Sequence, residues 1–69
     1  MKISARNQLM GTIVDVVKGA TTSHIRIDIG GGVIVTASIT NEAVDELKLA
    51  KGKAATAVIK ASDVMVGVD

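Results

Sequence analysis

The sequence predicts an all-β chain with one short helix, its five strands curled into a small barrel that works as an oligomer. Three observations carry that prediction. Val and Ile make up eighteen of the 69 residues, two segments alternate apolar and polar side chains with a period of two, and one acidic stretch switches to helical spacing.

Glycine rather than proline punctuates the chain, since Pro is absent. Leu9–Lys18, LMGTIVDVVK, is rich in β-branched residues and reads as the first strand, with an extension back into Ile3–Arg6; Lys18–Thr22 then reads as a turn. From Ser23 to Ile29, Ile25, Ile27 and Ile29 alternate with His24, Arg26 and Asp28, as expected of a strand with one buried and one wet face. Gly30, Gly31 and Gly32 supply positive-φ positions for a tight connection, and Val33–Ile39 resumes with Val33, Val35, Ala37 and Ile39 on one face. Strands two and three therefore form a hairpin. Within Thr40–Leu47, Ala43, Val44 and Leu47 share a helical face, with Thr40 or Asn41 as N-cap and acidic residues in the first turns, which predicts about two turns of helix. Leu49–Lys53 is a polar turn, Ala54–Lys60 a fourth strand and Val64–Val68 a fifth. Five strands with a helix between the third and fourth suggest an OB-like barrel in a single domain spanning residues 1–69.

A chain of this length folded alone buries only about 60% of the surface its unfolded form exposes. Disulfides and a structural metal are excluded as remedies, because there is no Cys and His24 is the lone imidazole. Oligomerisation remains, and it would also hide part of the Val- and Ile-rich surface. The net charge of +1 offers no steering toward nucleic acid or acidic membranes. No stretch approaches the roughly eighteen apolar residues needed to span a bilayer, and no leader-like segment opens the chain, so a cytoplasmic location is expected.

The glycine run could cradle a phosphate, but no helix follows it and no Lys-Ser/Thr pair completes a phosphate loop, so it reads as a hairpin turn. His24 lies on the polar side of its strand without a second ligand and reads as solvated. Asp45 and Glu46, the only paired carboxylates, lie on the helix and read the same way; no catalytic constellation is present. Lys48, Lys51 and Lys53 keep a turn soluble. A nucleic-acid interface lacks the Phe, Tyr or Trp on which single-stranded bases stack.

Arg6 and Lys60 remain. Taken one at a time each is a surface charge. Together with the hydroxyls of Ser4 and Thr40 and nearby backbone N–H groups they form a set made only of donors, which suits a small oxyanion that has no proton to offer.

SARNQL at Ser4–Leu9 followed by Gly11, IGGG at Ile29–Gly32, SIT at Ser38–Thr40, LKLAKGK at Leu47–Lys53 and VIKASDVMV at Val58–Val66 resemble the molybdenum-pterin-binding protein family, the molbindins, whose domain is also called Mop or TOBE. The resemblance covers essentially the whole chain. It implies binding of molybdate or tungstate without catalysis, as an intracellular store or buffer, by homohexamers built as trimers of dimers with oxyanion pockets between subunits. By position it assigns Ser4, Ala5 and Arg6, Thr40, and Lys60 with Ala61 to one class of pocket. Where some relatives carry a serine three places after the threonine, this chain has Ala43, which lacks the hydroxyl. A second class of pocket is expected elsewhere, and the backbone N–H groups of Lys18, Gly19 and Ala20 are its candidates because successive turn amides can form an anion nest. No organic cofactor is expected, since nothing aromatic would stack on a pterin. The rival readings are a nucleic-acid-binding OB module and a purely structural oligomerisation domain.

Overall fold

One long strand, β1 (Asn7–Lys18), organises the molecule because two other strands divide its length between them. The computed structural model describes all 69 residues. The remaining elements are β2 (Thr22–Asp28), β3 (Ile34–Thr40), the helix α1 (Asn41–Glu46), β4 (Ala54–Ile59) and a 3₁₀ turn at Ala61–Asp63. They form one antiparallel sheet in the order β3-β2-β1-β4. β4 pairs with the first half of β1, from Asn7 opposite Ile59 to Thr12 opposite Ala54. β2 takes over at Thr12 and continues to Lys18 opposite Ser23.

That division forces a curl, and two local features supply it. The register between β1 and β2 shifts between Ile13 and Asp15, so Val14 is an extra residue and the strand bends there. Gly11 lets β1 pass close to β2: a Cβ at this position would stand 2.3 Å from the Asp28 carbonyl oxygen. The bulge also reconciles two apolar faces. Ile13 opposes Ile27 before it, Val16 opposes Ile25 after it, and all four side chains reach the core.

The hairpin of β2 and β3 forms as the alternation requires, with Ile25 beside Ala37 and Ile27 beside Val35. Gly30, Gly31 and Gly32 all have positive φ. Val33 N–H donates to the Gly30 carbonyl at 3.1 Å, and the Asp28 carboxylate accepts from Gly30 N–H at 2.8 Å. Thr40 caps α1, its Oγ1 accepting from Ala43 N–H at 3.1 Å. The helix ends in a Schellman motif: Leu49 N–H donates to the Val44 carbonyl, Lys48 N–H donates to the Asp45 carbonyl, and Leu49 joins buried Val44 in the core. Lys48 takes the left-handed position of that motif, with φ of 53°. Lys53 then donates its ammonium to the carbonyls of Lys48 and Leu47, so this lysine closes the helix end rather than merely solvating a turn.

Two expectations need correction. There are four strands, not five. Val64–Val68 leaves the 3₁₀ turn with no strand neighbour in its own chain, and Met65, Val66 and Val68 are each about nine-tenths exposed. A strand needs a ladder to join, and here β3 and β4 keep free outer edges, so the sheet is an open half-barrel. Ile3–Arg6 is likewise outside β1, which begins at Asn7 where pairing with β4 begins.

Only six residues are buried: Ile13, Ile25, Ile27, Val44 and Ala57 as the apolar core, with Ser23 beside them. The concave side of the half-barrel holds an apolar hollow of about 690 Å³ between β3 and β4, bordered by Val35, Ile39, Leu49, Ala55 and Ile59 among others. Half-buried side chains line it rather than fill it.

Two substitutions test this description. Gly11→Ala drives a methyl group into backbone and lowers stability by about 1–3 kcal/mol, read as a fall in the melting temperature. Lys48→Gly relieves the left-handed backbone and raises stability by up to about 1 kcal/mol in the same measurement.

Candidate functional site

The β1–β4 register brings the two ends of the chain together. Asn7 stands opposite Ile59, and its side-chain amide donates to the Ile59 carbonyl at 3.1 Å. Gln8 donates to the Ala5 carbonyl at 3.0 Å, which ties the preceding residues back onto the strand. Beyond Lys60, the chain turns sharply because Asp63 N–H donates to the Lys60 carbonyl at 2.9 Å and Val64 N–H to the Ala61 carbonyl at 3.3 Å. Residues just before β1 and just after β4 therefore face one another across a recess of about 460 Å³.

Ser4, Ala5, Arg6, Lys60 and Ala61 line this recess, so five of the six residues assigned to the first pocket class share one surface. Ile3 and Ser62 complete it. Ser62 is the residue that motif reading passed over; it directly follows the Lys60–Ala61 pair, and the 3₁₀ turn carries it back to the same wall. No carboxylate lines the recess. Arg6 and Lys60 take part in no ion pair, the single salt bridge of the chain being Lys18 with Asp45 at 2.8 Å. The hydroxyls of Ser4 and Ser62 have no hydrogen-bond partner in the chain. Two cations and two hydroxyls with unspent donors form a wall that attracts a small anion and can bind it through charge-assisted hydrogen bonds.

Thr40 is elsewhere. It pairs with Thr22, past the end of β1 that carries Lys18, whereas Arg6 precedes the opposite end. Its hydroxyl oxygen accepts from Ala43 N–H, and its proton is free to donate outward. The turn proposed for a second pocket lies close to it. Gly19 N–H there already donates to the Thr22 carbonyl at 2.8 Å, and the Lys18 ammonium is engaged by Asp45. His24 is exposed on the outer face between Val17 and Ser38, and no group of three or more His, Asp or Glu side chains could hold a metal ion. No helix is long and apolar enough to cross a membrane.

Comparison with known proteins gives the family. Residues 3–66 match the TOBE domain. A probable molybdenum-pterin-binding protein from Haemophilus influenzae is 51% identical over 69 residues, covering the whole of both chains. A molybdate-binding protein from Sporomusa ovata superposes with a TM-score of 0.91 at 38% identity, covering 99% of this chain and 100% of that one. The cytoplasmic molybdate-binding protein ModG, in a crystal form with molybdate bound, gives a TM-score of 0.94 at 43% identity, with this chain spanning 49% of its length. The half-barrel, the matched domain and the full-length relative together place this chain in the TOBE domain family, among the molybdenum-pterin-binding Mop proteins.

Proposed function

We propose that this protein binds molybdate, without catalysis, in recesses built on Arg6 and Lys60 and closed by a neighbouring copy of the chain. The observation that carries the reading is the wall itself: two unpaired cations and two free hydroxyls, drawn from opposite ends of the sequence, with no carboxylate among them. A tetrahedral dianion has four acceptor oxygens and loses a large hydration energy on binding, so several donors must converge on it. Its relatives named as molybdate-binding proteins make molybdate the first choice of anion. Tungstate has the same charge and shape and fits the same donors.

A single chain leaves this wall open to solvent. Thr40, the sixth residue of the set, lies past the other end of β1 and outside the lining of the recess, so in this reading it joins from another copy. The apolar surface asks for such copies independently: Val17, Val33, Leu47, Val64 and Met65 are all about half exposed or more, and the hollow between β3 and β4 is uncovered. A homohexamer arranged as a trimer of dimers, with pockets at subunit contacts, meets both needs. The fitting role is a cytoplasmic store or buffer of the oxyanion, since the chain has binding groups and no reactive ones. A nucleic-acid interface is disfavoured by the absence of any aromatic side chain.

Titration calorimetry with molybdate tests the assignment. Arg6→Ala and Lys60→Ala each weaken binding by about 10-fold or more, the usual cost of losing a hydrogen bond to a charged group, while oligomeric mass and melting temperature stay near those of the parent. Unchanged affinity in either variant contradicts the site. In the same assay Ser62→Ala costs about 3- to 10-fold, and Ser62→Thr, which keeps a hydroxyl, restores most of it.

A further inference from the structure

The start of α1 is fastened by one side chain. Asn41, its first residue, donates its backbone N–H to the Thr21 carbonyl at 2.9 Å and its side-chain amide to the Gly19 carbonyl at 3.1 Å. Its Oδ1 accepts from the hydroxyl of Ser23, the one polar residue in the buried set, which is 0% exposed. Three bonds thus tie Asn41 to Gly19 and Thr21 in the connection between β1 and β2 and to Ser23 in β2. A helix of six residues cannot hold its own first turn, because nucleation is costly and few bonds follow to offset it. This clamp, together with the pairing of Thr40 opposite Thr22, fixes the peptide between Thr40 and Asn41.

From that geometry we infer that Asn41 is a positioning residue for Thr40, acting on oxyanion binding through it; the inference rests on the reading of the site given above. Thr40 has its oxygen committed to Ala43 N–H and its proton left free to donate, so its use as a donor depends on the backbone staying in the capping conformation, φ −69° and ψ 150°. With Asn41 anchored, the hydroxyl reaches a neighbour's recess already oriented. With the clamp gone, the cap opens and the donor must be ordered again at each binding event.

The test is a double-mutant cycle on the assembled protein, read by titration calorimetry with sodium molybdate well below the melting temperature. The pair Ser23→Ala with Asn41→Ala removes both partners of the buried bond, so no lone buried hydroxyl is left behind. In the parent background it weakens molybdate binding about 10-fold. In a Thr40→Ala background it weakens binding less than 2-fold, because the residue it positions is absent. Ser23→Ala alone releases one of the three ties and serves if the pair fails to fold; it costs about 3-fold, again only when Thr40 is present. An equal loss in both backgrounds overturns the inference, since Asn41 would then act on general stability. So does an unchanged affinity in the clamp variants, or in Thr40→Ala itself. Arg6→Ala keeps the two ideas separate: if it binds molybdate normally, the site assignment fails, whereas if it loses binding while the clamp variants do not, only the role of Asn41 falls.

Discussion

Asn7 lying opposite Ile59 is the constraint from which the rest follows. That register places Arg6 and Lys60, one residue beyond each strand end, on a common wall with no acidic neighbour. Two cations with no carboxylate on the same wall bias it toward an anion. Side-chain ties from Asn7 and Gln8 and the 3₁₀ turn after Lys60 hold the two segments in place. The ladder of β1 and β4 performs the ordering of these groups, so that on the proposed reading the anion meets them already assembled.

The same long strand explains why one chain leaves apolar surface uncovered. Because β1 gives its first half to β4 and its second to β2, the sheet curls, yet β3 and β4 do not meet and the hollow between them stays open. Five buried aliphatic side chains make a modest core for 69 residues. Covering the exposed Val, Leu and Met side chains adds apolar burial at roughly 25 cal/mol per Å², which is the source of stability left to a chain with no cysteine, no metal cluster and one ion pair. On the proposed reading assembly and binding have a common origin, since the contact that hides apolar surface would also carry Thr40 to a neighbour's recess.

Much of this was legible in the residues. The isoleucines of β2 and the Val35, Ala37 and Ile39 face of β3 declared their inward side by alternation, and the glycines between them announced the hairpin. A cap at Thr40 or Asn41 was recognisable because an acidic, helically spaced segment began there, and the structure makes it Thr40. β1 was harder: the extra residue at Val14 breaks the period of two, so its composition indicated a strand but not its bend. Val64–Val68 misled for the opposite reason, having the composition of a strand without a partner in the chain to make it one. At the site, Arg6 and Lys60 were identifiable because charge, hydroxyl and motif coincided there. Ser62 escaped because a serine beyond a strand carries no periodic signal until the turn is seen, and Asn41 because its value lies in long-range bonds to Gly19 and Ser23. The structure also spends the Gly19 N–H within its turn, a use invisible in the sequence.

The central claim is a location, and anomalous scattering at the molybdenum absorption edge, from crystals of the protein grown with molybdate, tests it most directly. The account predicts density for the metal within hydrogen-bonding reach of Arg6 and Lys60 from one subunit, with Thr40 of a second subunit on its far side. Molybdenum density confined to other surfaces, with the recess between Ser4 and Ser62 holding only solvent, would contradict it.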